Sequence, residues 1–255
     1  MNKIAVSISG IAIAALLIIA IGYSKKNDKV GEMNSKAASG FVVMELFTSQ
    51  GCSSCPPADE ILGKYALKND EHIIPLAFHV DYWDRLGWID SFSNSRYTQR
   101  QRDYASKFNL ESVYTPQLII NGQKELVGSE EEAIATTVNK FLKEQPPVAI
   151  NVSNKNIESG RVTISYSVND PASNSSINAA LVQAAVVTHI KAGENRGVKL
   201  TNYNVVRDLK TEVLSKTGNF TFPLPVHNIT AGFSIVLFIQ DNASGKITGA
   251  VKAML

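Results

Sequence analysis

Cys52 and Cys55 are the only cysteines in the chain, and they stand between a strand-like run and a helix start. Phe41-Val-Val-Met-Glu-Leu-Phe47 is rich in branched and aromatic residues and reads as a strand. Thr48-Ser-Gln-Gly51 is a turn. Pro56 and Pro57 follow the second cysteine, and proline is favoured in a first helical turn. Ala58, Ile61, Leu62 and Tyr65 then recur at helical spacing. A bridge across so short a loop removes little entropy from the unfolded chain. A disulfide framework would use more cysteines, spread widely. The pair is therefore expected to work as a redox couple rather than as a staple. Thiolate is the reactive form, and the start of a helix stabilises it. Cys52 is expected to face solvent as the nucleophile, with Cys55 one turn on as the resolving thiol. The same spacing serves zinc sites, but these usually need four ligands and no second cysteine pair exists. A copper or zinc site built from Cys52, Cys55 and His79, with Asp81 near, is the alternative. A non-catalytic interaction module is a further one.

The next segments alternate between strand and helix patterns. Ile73–Phe78 reads as a strand, residues 95–108 as a helix with Tyr97, Tyr104 and Phe108 near one side, and Gln117–Ile120 as a third strand. Asn121-Gly122 signals a hairpin back into Glu125–Val127. A helix over 130–144 follows, with Ser129 as its expected cap. Thr115-Pro116 precedes the third strand. A proline there donates no ladder hydrogen bond and makes a cis bond accessible. Facing the cysteines in cis, it would present the Thr115 backbone to an incoming peptide and keep metal off the sulfurs. An ordinary trans proline is the competing reading. The loop His79–Asp90 holds two Trp, one Tyr, one His and three Asp. Trp83 and Tyr82, with Tyr114, could wall a substrate site; packing of Trp83 and Trp88 over the helix end is the simpler account. His79 at a strand end could lower the acidity constant of a thiol or shuttle a proton.

Gln145-Pro146-Pro147 looks like a boundary. Beyond it seven short strands are expected, over 148–152, 161–168, 179–188, 204–214, 219–222, 233–240 and 247–253, and they suggest an antiparallel sandwich. Gly193-Glu-Asn-Arg-Gly197 reads as a hairpin with a solvated charged tip, with a functional loop touching the part before that boundary as the alternative. His189, His227 and Arg207 have no partners visible in the sequence. Sequons at Asn151, Asn174, Asn219, Asn228 and Asn242 are assigned no role.

The apolar run Ile4–Tyr23 after Lys3, ending in Ala20-Ile21-Gly22, reads as a cleaved signal peptide or an uncleaved anchor over 1–23. Residues 24–40 then read as a flexible tether. Either way the protein is expected outside the cytoplasm, periplasmic or anchored facing the periplasm. The net charge of +2 with no basic stripe argues against nucleic acid as a partner.

The order strand, Cys-x-x-Cys-Pro, helix, strand, Thr-Pro, strand, Asn-Gly, strand, helix resembles thioredoxin over residues 41–145. Phe47–Asp59, His79-Val-Asp-Tyr-Trp-Asp84 and Tyr114-Thr-Pro-Gln117 closely resemble a secreted bacterial family known only as a domain of unknown function with a thioredoxin-like fold. That match extends through Gly193–Gly197, Asn204–Arg207 and Phe238–Asp241. The resemblance implies a thioredoxin-like α/β domain over 41–146, a mixed central sheet flanked by helices, followed by an all-β antiparallel sandwich domain over 147–255. It implies Cys52 as nucleophile, Cys55 as resolving thiol, Pro116 as the cis proline and Glu45 as a buried acid serving Cys55. A thiol- or disulfide-bearing protein or small molecule would be the partner, with a membrane electron donor in addition. No cofactor is implied. Gly51-Cys-Ser-Ser-Cys55 replaces the usual thioredoxin context, which leaves the direction of the reaction open.

Overall fold

Residues 40–144, 147–224 and 232–255 are described by the computed structural model. The expected signal or anchor, the tether up to residue 39, residues 145 and 146, His227 and Asn228 lie outside them.

The chain runs β1 (Val42–Thr48), α1 (Pro56–Lys68), β2 (Ile73–His79), α2 (Ser95–Phe108), β3 (Gln117–Ile120), β4 (Lys124–Val127) and α3 (Glu131–Phe141). Seven strands follow: β5 (Ile150–Glu158), β6 (Arg161–Val168), β7 (Ser175–His189), β8 (Lys199–Val213), β9 (Thr217–Pro223), β10 (Phe233–Asp241) and β11 (Ile247–Met254). The result is a mixed α/β fold, mostly strands, around one large mixed sheet.

β1 is buried on both faces, as its mostly apolar sequence leads one to expect, with Glu45 and Thr48 as its polar members. Val42, Met44 and Leu46 meet Ile61 and Leu62 of α1 and Ile134 and Val138 of α3. Val43 and Phe47 meet Tyr97 and Tyr104 of α2 on the other side. β2 pairs with β1 in parallel, β3 pairs with it antiparallel, and β4 returns from β3. Asn121 and Gly122 both hold positive φ, 51° and 60°, as the tight hairpin demands. A Cβ on Gly122 would lie 1.9 Å from the Gly245 carbonyl, so glycine is also what lets the β10–β11 turn approach. α2 is capped by Asn94, whose side chain accepts from the Arg96 amide. α3 starts differently from the expectation: Glu130 holds the N-cap without a side-chain bond, and Ser129 does not cap it.

The seven later strands are present, but they do not make a free-standing sandwich. β8 joins β2 in parallel at Val205 and Ala77, so β11-β10-β7-β8 continue the sheet as β2-β1-β3-β4. Only β5, β6 and β9 form a second sheet. Strand alternation explains the layering. Ile177, Ala179, Leu181, Ile235 and Leu237 face the second sheet through Val162, Ile164, Phe220 and Phe222. Ala180, Val182, Val236 and Phe238 point the other way, into the α2 core. α1 lies on β8 as well: a Cβ on Gly63 would come within 2.6 Å of the Tyr203 ring. The described residues accordingly form one compact unit, and the expected boundary near 146 does not divide the sheet.

Candidate functional site

The turn after β1 delivers Cys52 and Cys55 to the start of α1, where they form a disulfide with Cα atoms 5.4 Å apart. Cys55 is the N-cap residue, with helical φ and ψ, and Pro56 and Pro57 occupy the first turn. Ser53 and Ser54 are exposed, but both cysteines are 0% exposed. Cys52 therefore does not face solvent, contrary to expectation. It lies one layer beneath the serines.

The helix start is also a poor source of amides. Pro56 and Pro57 carry no N–H. The Cys55 amide goes to the Cys52 carbonyl, and those of Ala58 and Asp59 go to the Cys55 carbonyl. The Ser53 amide donates to the Glu194 carboxylate at 3.1 Å. Hydroxyls serve the sulfur instead. Thr115 Oγ1 donates to Cys52 Sγ at 3.3 Å, and Ser54 Oγ lies at 3.3 Å. Trp83 Nε1 donates to Thr115 Oγ1 at 2.8 Å, which leaves the threonine proton free to point at sulfur. The Thr115–Pro116 bond is cis, and the Thr115 carbonyl is 4.0 Å from Cys52 Sγ.

Behind the disulfide lies a buried titratable cluster. Asp59 sits four residues after Cys55 on one helical face, so the two side chains are neighbours. Neither Asp59 oxygen has a hydrogen-bond partner among the described residues, nor do Thr48 Oγ1, His79 Nε2 and Asn202 Nδ2. Burial pushes the Asp59 carboxyl up to about 7, and nearby His79, the Thr48 hydroxyl and the Asn202 amide temper the rise. His79 ends β2, fully buried, with Nδ1 2.6 Å from Asp90 Oδ2. Burial opposes its protonation, yet the charge and hydrogen bond of Asp90, with Asp59, raise its pKa above the ordinary value. Burial likewise works against an ionised Asp90. His79 and the amides of Gln50 and Phe92 outweigh that effect and hold the carboxyl below its usual range. The three side chains thus form one coupled buried cluster, in which Asp90 is held toward the carboxylate and Asp59 toward the acid relative to their ordinary values.

Gln50 ties this cluster to the rest of the fold. Its amide N–H donates to Asp90 Oδ2, and its Nε2 donates to Thr188 Oγ1 and Asn202 Oδ1. Its Oε1 accepts from Trp88 Nε1 and its carbonyl from Asn195 Nδ2. Asn195 Nδ2 also donates to the Cys52 carbonyl at 2.9 Å. The loop 193–197 is therefore seated against the cysteine motif, rather than extended as a solvated tip.

The remaining expected residues are distributed unevenly. Glu45 points to the opposite face of β1 from α1. Arg100 donates to it twice, from Nε at 2.5 Å and Nη2 at 3.0 Å, and the Tyr104 hydroxyl donates at 2.5 Å. Its bonds are thus spent on α2, and the acid that helical spacing places on the Cys55 side is Asp59. Tyr82 donates to Gln101, and Tyr114 donates to Glu125. Neither hydrogen-bonds to a cysteine, whereas Trp83 reaches Cys52 through Thr115. Asp81 accepts from Thr98 on α2 at 2.5 Å. Arg207 donates to Gln183 and lies over the Phe92 ring. Among the described residues no group of three or more His, Cys, Asp or Glu side chains could hold a metal ion, so Cys52, Cys55 and His79 do not assemble as ligands. A groove of about 640 Å³ lies between α2 and the ends of β7 and β10, away from the cysteines. Its cations Arg96, Arg100 and Lys107 are already engaged by Asp208, Glu45 and backbone carbonyls, so the sulfur chemistry marks the site instead.

Gln50, Asp59, Glu194, Asn195 and Asn202 were not legible as site residues. A first-turn Asp ordinarily serves the helix dipole, and Gln and Asn in turns carry no chemical signal of their own.

Comparison with known proteins agrees with this assembly spanning both parts of the chain. A crystal structure of protein AGR_C_4864 from Agrobacterium tumefaciens is 30% identical, covers 86% of this chain and 95% of its own, and gives a TM-score of 0.65. A domain of the outer membrane lipoprotein Omp28 from Porphyromonas gingivalis matches 42% of this chain and 86% of its own at 12% identity. Its TM-score of 0.27 lends it no weight. No curated protein matches the sequence. Residues 43–240 match the family model for proteins of unknown function DUF1223, and the chain belongs to that family.

Proposed function

We propose that Cys52 and Cys55 are a reversible thiol–disulfide couple on a thioredoxin-like arrangement of β2-β1-β3-β4 with α1, α2 and α3. The observation that carries the reading is the Thr115 hydroxyl placed on Cys52 Sγ and oriented there by Trp83. A hydrogen bond to a charged group contributes about 1.5–3 kcal/mol, enough to favour a thiolate at position 52.

In the reduced protein the Cys52 thiolate attacks one sulfur of a substrate disulfide. That bond breaks, and the far sulfur leaves and takes a proton from water. Cys55 gives its proton to the Asp59 carboxylate and attacks Cys52 Sγ. The mixed disulfide breaks, the second substrate sulfur leaves, and the protein holds the Cys52–Cys55 bond. The substrate is reduced by two electrons and the protein oxidised by two. The opposite direction runs through the same intermediate, with Asp59 returning the proton to Cys55. Since Cys52 is covered, exchange requires the Ser53–Ser54 turn or the 193–197 loop to move aside.

On this reading the protein is exported by the segment at 1–23 and works in the periplasm, free or anchored. A disulfide-bearing protein or small molecule is its partner, and a membrane thiol donor resets it. Full-length Cys55→Ser should accumulate mixed disulfides, seen as reducible high-mass bands, while Cys52→Ser should not. Absence of adducts from both variants would favour an interaction module without turnover. Thr115→Val should raise the Cys52 thiol pKa by about one unit, from the loss of one charge-assisted bond. The pH profile of iodoacetamide alkylation in the Cys55→Ser background measures it.

A further inference from the structure

The loop between β7 and β8 places a fixed negative charge beside the cysteine motif. Glu194 Oε2 accepts the Ser53 amide at 3.1 Å, and the Ser53 contacts hold its carboxyl below the usual range. The adjacent Asn195 is 5% exposed and clamps the loop down through the carbonyls of Gln50 and Cys52. Gly193 and Gly197, at φ 74° and 86°, bracket the segment. Most helix starts could tolerate one lost amide. This one has two prolines in its first turn and has already committed the amides of Cys55, Ala58 and Asp59. A thiolate at Cys52 and the Glu194 carboxylate would then be two anions drawing on one sparse set of donors.

We propose that Glu194 is a positioning residue that sets the poise of the couple, biasing the Cys52–Cys55 pair toward the disulfide by opposing the Cys52 thiolate. This rests on the redox reading above. Formation of a thiolate next to a carboxylate stores repulsion, and closing the disulfide removes it. The dithiol form is thereby disfavoured and the pair becomes a stronger reductant. Lys191 and Arg196 lie on the same loop, and Asp59, His79 and Asp90 lie beneath the motif. All of them are unchanged in the test.

Glu194→Gln keeps an acceptor for the Ser53 amide and removes the charge. Two quantities are compared with the parent: the thiolate fraction of Cys52 at pH 7 in the Cys55→Ser background, from absorbance at 240 nm, and the equilibrium of the full couple with glutathione. The variant should show about a three- to tenfold larger thiolate fraction and a shift of similar size toward the dithiol, as expected for one partly screened charge. In the parent, raising ionic strength should move both quantities toward the variant, and in Glu194→Gln it should move them less. A purely structural role for the contact predicts no such salt dependence. Identical titrations in the two proteins would overturn the inference while leaving the couple intact. Failure of both proteins to equilibrate with glutathione would overturn the redox reading itself.

Discussion

Arg100→Leu is expected to lower the free energy of unfolding by about 3–5 kcal/mol, the cost of leaving one member of a buried pair without its partner. Glu45 is fully buried, and the Arg100 side chain is 12% exposed. The guanidinium holds both carboxylate oxygens and stacks over Phe78, Tyr104 and Phe238. Removing it strands a carboxylate in the core between β1 and α2. Urea unfolding followed by circular dichroism reads the loss. Arg100→Leu combined with Glu45→Leu should recover a large part of it, because an apolar pair of similar volume carries no stranded charge. A single substitution costing less than about 1 kcal/mol would mean that Glu45 finds water or another donor in the variant.

Asp59→Asn is expected to change two properties at once: the pH dependence of stability and, on the proposed redox reading, the rate at which mixed disulfides resolve. The Asp59 carboxyl is pushed to about 7 in the fold from an ordinary 3.8. Between those values the folded chain binds the proton and the unfolded chain releases it, so stability falls as pH rises. A shift of about three units amounts to a loss on the order of 4 kcal/mol between pH 4 and pH 8. His79 adds a loss of the same sign, since its raised pKa gives stability that fades as pH climbs through the folded value. Asp90, held low, acts in the opposite sense only in acid, where its protonation removes stability. The asparagine variant should therefore gain on the parent as pH rises toward 8 and show a flatter stability profile. It should also resolve mixed disulfides more slowly, on the order of 10²-fold, because Cys55 loses its proton acceptor. Chemical denaturation across pH and quenched-flow resolution kinetics measure the two effects. An unchanged resolution rate would move the proton acceptor to another group, and an unchanged stability profile would mean that the Asp59 carboxyl is not raised in the fold.

The local chemistry of the site was readable where one or two residues decide it. Cys52-Ser-Ser-Cys55 before two prolines fixes a strand, a turn and a helix start, and Asn121-Gly122 fixes a hairpin. Thr115-Pro116 marked the neighbour of the sulfur because proline changes its own backbone whatever surrounds it. Glu45 was harder. Alternation puts it on the face shared by Val43 and Phe47, but the pattern does not say which helix covers that face. Asp59, four residues on from Cys55, has the look of an ordinary first-turn aspartate, and its burial beside His79 does not show in the sequence. The later strands were legible one by one, while their membership in sheets was not. Alternation encodes which faces are buried and says nothing of which edge each strand pairs with, so the β2–β8 junction was hidden. Asn195 was hidden for a related reason: its partners at Gln50 and Cys52 are brought to it only by that junction.

The span of those contacts governs when the site can close. Gln50 and Asn202 are separated by 152 positions, and Asn195 and Cys52 by 143. Contacts so distant must wait for a long stretch of chain to be ordered, and they slow folding compared with local ones. Until β7 and β8 dock, the sulfurs have a helix and a threonine but no roof. A chain caught before that docking would offer the pair to oxidants and to passing thiols more freely than the finished protein does, and the last third of the polypeptide is the seal.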